Sequence, residues 1–163
     1  MSNITLYYAP GSASLVVHWL LFEFGVPHTL KLLNLAEAQH KLPAYLAINP
    51  VGTVPTLLVD AEAIWESAAI VMYLADAYPE AGLSPELDGV ERGQYYEWIC
   101  LCVNVFMPAF RSWFYPSESA GEESEVKLSR KRESKHFGGG LTSIWPQMGL
   151  FCWVQSDQRL ILF

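Results

Sequence analysis

The 163 residues carry 17 acidic and 10 basic side chains, a net charge of −7, and 52% of them are hydrophobic. That is enough apolar material for one large domain or two small ones and excludes wholesale disorder. It also argues against nucleic acid as a partner, since phosphate backbones select a positive surface. The charge is uneven: residues 1–121 hold 12 acidic and 4 basic side chains, whereas 122–163 hold 5 and 6. Cys100, Cys102 and Cys152 form neither a metal-ligand spacing nor a Cys-x-x-Cys, so no metal site is expected. With no basic-then-apolar leader before Ile4, they point to a reduced, cytoplasmic setting.

In chain order, Ile4 to Tyr8 reads as a strand that breaks at Ala9-Pro10-Gly11. Ser12-Ala13-Ser14 then leads into a helix through Leu15, Val16, Trp19, Leu20, Phe22 and Glu23, closed by Gly25 as a C-terminal cap. His28 to Leu33 reads as a second strand, completing a βαβ unit with parallel strands. Glu37 to Leu46 holds a short helix, and Asn49-Pro50 a loop. Thr56 to Val59 and Ala63 to Trp65 are the arms of a hairpin turned by Asp60-Ala61-Glu62. A helix begins at Ser67 and continues through Ala68, Ala69, Ile70, Val71, Met72, Tyr73 and Leu74. The order βαβ, α, ββα is that of a thioredoxin-like α/β domain.

The stretch from Asn49 to Ile70 is the one specific enough to suggest a ligand. Pro55 lacks a donor and belongs at the mouth of a strand. If the Val54–Pro55 bond is cis, Val54 turns its N–H and C=O outward, where an extended peptide can pair with them as a further strand. A carboxylate on that peptide reaches the Ser67 N–H and hydroxyl at the positive end of the helix, and Glu66 holds an ammonium. A γ-glutamyl tripeptide carries both groups. Taken by itself, Val-Pro is an ordinary strand-entry proline.

Joined to Asn49-Pro50, Gly52 and Glu66-Ser67-Ala-Ala-Ile at family spacing, the pair resembles the glutathione-binding half of the cytosolic glutathione S-transferases, a likeness that covers residues 3 to about 83. Tyr7-Tyr8-Ala9-Pro10-Gly11, Ser14-Leu15 and His18 look like the bacterial beta-type and the Ser-type enzymes. The resemblance implies a transferase of residues 1–80, the glutathione-binding domain, and 86–163, an incomplete all-helical region. Its activity would be conjugation of the glutathione thiolate to small hydrophobic electrophiles, with glutathione as co-substrate, a homodimer as assembly, and neither a membrane nor nucleic acid as partner.

A free thiol near pKa ~8.5 is mostly protonated at neutral pH, so catalysis needs a donor and a positive field at the sulfur. The resemblance offers Ser12 as that donor and Ser14 as the second candidate, with Tyr7 and Tyr8 at the end of the first strand ranked below both. Ser14 as a plain helix cap is the competing reading. Ala13 stands where the beta-type enzymes carry a Cys, so mixed-disulfide chemistry is not expected. His40 and Lys41 fit side chains that approach the glycine carboxylate, with Lys41 as a solvated helix charge the competing reading; Thr53 replaces a residue often Gln or Lys beside the same group. His18, between apolar neighbours, reads as a packed histidine.

Pro79, Gly82 and Pro85 mark a linker, after which Val90, Tyr95, Trp98, Ile99, Cys102, Val105, Phe106, Ala109, Phe110 and Trp113 keep helical spacing, with a kink near Asn104 from Pro108. Phe106, Phe110, Trp113 and Tyr115 are candidates for an electrophile pocket or simply core. From about 117 the resemblance stops: residues 117–136 are strongly charged, and Phe137 to Ser156 have no charge and three glycines in a row. That change fits a frame-shifted, mis-spliced or truncated end, with a genuine but divergent helical end as the competing reading. The alternatives to a transferase are therefore a noncatalytic glutathione-binding or protein-interaction module and an inactive truncated product.

Overall fold

The computed structural model describes residues 2–114, with backbone alone at 110 and 112–114. One compact unit ends at Tyr95 and a second begins at Tyr96. The first unit contains β1 (Ile4–Tyr8), α1 (Ser14–Glu23), β2 (His28–Leu32), a 3-10 turn (Gln39–Lys41), α2 (Pro43–Leu46), β3 (Thr56–Val59), β4 (Glu62–Trp65), α3 (Ser67–Ala77) and a second 3-10 turn (Pro79–Ala81). The strands form one sheet in the order β2-β1-β3-β4, with β1 and β2 parallel and the other pairs antiparallel. This is the thioredoxin-like α/β arrangement that the element order predicts.

Alternation along β1 makes two layers of packing on the sheet. Leu6 is buried with Val17, Leu20 and Leu21 of α1 and with Ile70, Leu74 and Ala75 of α3 among the core residues. Tyr8, two residues on, lies against the α1 side chain His18, with ring centroids 5.9 Å apart. Tyr7 points the other way and meets Tyr45 of α2, centroids 5.4 Å apart. The buried Thr56, paired with Tyr7 across the sheet, shares that second face.

Three local expectations are corrected. The helix expected over Glu37 to Leu46 is two short pieces, because Pro43 drives Leu42 out of helical space (ψ 144°) and Ala38 adopts a left-handed φ of 54°. The hairpin turn has two residues, Asp60 and Ala61, both at positive φ, and Glu62 is already in β4 opposite Val59. The second strand ends at Leu32, one residue short of expectation.

Behind α3, buried Arg92 donates to both carboxylate oxygens of Asp76 at 2.6 Å and to the Pro85 C=O at 2.9 Å. The Ser84 hydroxyl adds a bond to Asp76 at 3.1 Å. Arg92 lies in α4 (Val90–Leu101), which is followed by a π-helical turn (Cys102–Phe106) and α5 (Met107–Phe114). The π turn lies where a kink from Pro108 is expected: Pro108 has no N–H for the Asn104 carbonyl, and the Met107 N–H goes five residues back to Cys102. Among the described residues no helix is long and apolar enough to cross a membrane. The side chains of Phe110 and Trp113, Tyr115, and the tail from 117 lie outside the described residues.

Candidate functional site

The sheet register gathers three separate stretches at one edge. Tyr7 pairs with Thr56 and Thr56 with Trp65, so the chain leaving β1, the chain entering β3 and the chain leaving β4 meet there. These are Ala9 to Ser14, Thr53 to Pro55, and Glu66 with Ser67. Parallel pairing of Tyr8 with Leu32 brings the exit of β2, which leads to His40 and Lys41, to the same edge.

At the middle stretch the Val54–Pro55 bond is cis. Among the described residues no hydrogen bond engages the Val54 N–H or C=O, and Val54 is half-buried beside the buried Pro55. The preceding carbonyl is used instead: Thr53 C=O accepts from the Tyr45 hydroxyl at 2.6 Å and from Asn49 Nδ2 at 3.0 Å. Asn49 Nδ2 also donates to Thr56 Oγ1 at 2.9 Å, and its Oδ1 accepts the Val51 N–H at 3.0 Å. Both side chains are buried, Asn49 at 0% exposure. Burial pushes the Tyr45 phenol above its ordinary value of 10.0, which keeps its proton available for Thr53. This network fixes Thr53 from below and leaves Val54 free above.

Helix α3 starts at Ser67 with no side-chain cap, so its first N–H groups have no partner within the helix. Glu66, exposed at the boundary, sits at φ 73° and ψ 115°, an uncommon conformation for a residue with a side chain. Lys41 Nζ donates to the Val51 and Gly52 carbonyls at 3.2 and 2.8 Å, which places an ammonium beside the Thr53–Val54 stretch with a third N–H in reserve. His40 Nδ1 is buried and has no partner among the described residues. The Thr53 side chain is exposed.

At the first stretch Gly11 takes φ 67° to turn the chain into α1. Ser14 does not cap that helix: it is the first helical residue, and its hydroxyl turns back toward Ala9, with Oγ 3.0 Å from the Ala9 C=O and accepting the Ala9 N–H at 3.2 Å. It is 1% exposed. Ser12, half-exposed, donates to the same carbonyl at 2.7 Å. His18 is half-buried with its Nε2 unpartnered among the described residues, and burial, then the neighbouring His28, lower its pKa below 6.5. Among the described residues no three His, Cys, Asp or Glu side chains group as metal ligands.

Residues 2–76 match the family described as glutathione S-transferase, N-terminal domain. The beta class glutathione S-transferase of Sphingomonas chungbukensis has a similar fold at TM-score 0.69 and 31% identity, over 84% of this chain and 67% of that one. The chain belongs to the glutathione S-transferase family. Glutathione S-transferase GST-4.5 of Xanthomonas campestris is 38% identical over 126 residues, 77% of this chain but 61% of that protein's length. A glutathione transferase homolog from sulfitobacter, solved with bound glutathione, aligns at TM-score 0.70 and 28% identity over 88% of this chain and 69% of the other.

Within this transferase-family chain, sequence reasoning passed over Tyr45 and the role of Asn49, which hold the Thr53–Val54 stretch. The only signal was an Asn before Pro in an otherwise apolar approach to a strand, readable as a turn residue as readily as a buried amide.

Proposed function

We propose that this chain binds glutathione along the common edge of the sheet and uses Ser12 to stabilise its thiolate for attack on small hydrophobic electrophiles. The observation that carries the reading is the Val54 backbone pair, which has no partner among the described residues, beside the uncapped start of α3. A buried or half-buried N–H and C=O in a folded protein are normally paired, so this pair suits an extended peptide added as one more strand. In that pose a carboxylate of the γ-glutamyl end meets the Ser67 N–H and hydroxyl, and Glu66 faces its ammonium. The glycine carboxylate lies toward Lys41, with His40 and Thr53 alongside. Pro55 shapes the turn between these contacts.

Ser12 then stands at the sulfur. The thiol proton leaves to solvent, the sulfur lone pair forms the new carbon–sulfur bond, and the leaving group departs with its bonding pair. The reduced thiols expected at Cys100 and Cys102 suit a cytoplasmic setting, and a homodimer is the assembly the family implies.

Calorimetric titration of glutathione into the full chain tests the reading. Ser67→Ala is expected to weaken binding about tenfold, the loss of one bond to a charged group, and a generic electrophile should be conjugated at a rate that falls in Ser12→Ala. Absence of heat, with a thermal midpoint unmoved by excess glutathione, would overturn it. Binding without any lowering of the thiol pKa would leave a noncatalytic glutathione module.

A further inference from the structure

Ser12 is held by a hydroxyl partner. Its Oγ lies 2.7 Å from Ala9 C=O and 2.7 Å from Ser14 Oγ, Ser14 Oγ lies 3.0 Å from the same carbonyl, and the Ser14 N–H donates to Ser12 Oγ at 3.3 Å. Two hydroxyl protons serve three oxygen–oxygen contacts. Without a proton between the serines, two sets of lone pairs would face each other, so one proton lies on that edge and the other goes to Ala9.

The distances favour Ser14 as donor to Ser12. Ser12 then accepts from the Ser14 N–H and O–H and gives its own proton to Ala9 over the shorter of the two carbonyl contacts. The Ala9 N–H, 3.2 Å from Ser14 Oγ, supplies the donor that opens the chain. A thiolate competes with the carbonyl for the Ser12 proton and wins, because a bond to a charged acceptor is about twice as strong as a neutral one.

We infer that Ser14 is a positioning residue for Ser12: Ala9 N–H, Ser14 hydroxyl and Ser12 hydroxyl form a directed chain of donors that ends on the bound thiolate. Ser14 is too buried to touch a ligand itself. Donation from Ser14 keeps the Ser12 proton off the contact between the two serines, leaves it for the thiolate to draw from Ala9, and polarises it. The inference rests on the reading of Ser12 as thiolate donor.

The test is the pKa of bound glutathione, followed by the ultraviolet absorbance of its thiolate, in wild type, Ser12→Ala, Ser14→Ala and the double variant. Affinity for S-methylglutathione, which has no thiol to ionise, reports the rest of the site. Ser14→Ala is expected to raise the thiol pKa by about half a unit and Ser12→Ala by about one unit or more. The double variant should match Ser12→Ala alone, and S-methylglutathione affinity should stay unchanged in Ser14→Ala.

A wild-type thiol pKa in Ser14→Ala overturns the chain, as do shifts that add in the double variant. A matching loss of S-methylglutathione affinity overturns it too, because Ser14 would then only support the fold. Should Ser14→Ala not fold, Ser14→Cys under reducing conditions keeps the volume with a weak donor and must move the pKa the same way. No effect of Ser12→Ala, or no glutathione binding by wild type, removes the parent reading instead and is seen in those samples alone.

Discussion

Asn49 shows how one side chain decides what its neighbours can bind. A primary amide offers two donors and a carbonyl, and here the donors meet Thr53 C=O and Thr56 Oγ1 while the carbonyl meets the Val51 N–H. Ala at this position removes one partner from each of those groups around a side chain that is itself fully buried, at a cost of about 2–3 kcal/mol. Urea unfolding of Asn49→Ala should therefore show a lower midpoint with an unchanged slope, and calorimetry should show weaker glutathione binding, because Val54 is no longer held from below. A midpoint equal to wild type would mean that the network does not fix the loop. Asn49→Asp is the sharper variant. A carboxylate has no donor for Thr53, so it should be less stable than Asn49→Ala at neutral pH and recover as acid restores its proton.

Elements were legible in the sequence where neighbours along the chain decide them. Alternation gave β1, apolar spacing placed α1 and α3, and Pro108 marked the point where the helix after Val90 changes its hydrogen-bond step. Less legible were features set by contacts distant in sequence. Arg92 finds Asp76 sixteen positions away, Tyr45 finds Thr53 eight away, and the left-handed residues Ala38, Ala61 and Glu66 are neither glycine nor asparagine. The connection from α2 to β3 depends on both kinds of signal. Gly52 stands out in the sequence only as part of the family spacing, and its reason is tertiary: φ is 64°, and an added Cβ would lie 2.8 Å from the His40 carbonyl and 2.8 Å from Leu46 Cδ2. The carbonyl cannot rotate aside as a side chain can. Gly52→Ala should thus cost about 2–4 kcal/mol, combining a left-handed residue with overpacking, and should displace the Lys41 ammonium from its carbonyls. A thermal midpoint within error of wild type would show that this connection gives way freely.

For the molecule as a whole, the titrating groups shape stability on both sides of neutrality. Asp76, held by its bonds to Arg92, and exposed Asp60, held by the Asn3 N–H, have carboxyls below the ordinary 3.8. His18 lies below 6.5 through burial and then His28. In each case the unfolded chain binds the proton first, so stability rises with pH through these windows and is lost on acidification. The loss starts near pH 6.5 through His18 and steepens below 3.8 as the carboxylates protonate and Arg92 loses its partner. Tyr45 and Tyr78 have the opposite sign: burial raises both above 10.0, so the unfolded chain loses the proton first and stability falls as pH climbs past that value. Urea midpoints against pH should therefore form a plateau between about 6.5 and 10, set by these shifts. His18→Phe keeps a ring against Tyr8, Phe22 and His28 and should flatten the limb between 6.5 and 4 while leaving the lower one in place. Asp76→Asn should do the reverse, lowering the plateau and removing much of the fall below 3.8. If His18→Phe retains the full slope above pH 4, that limb belongs to other groups and the histidine is open to water in the folded chain.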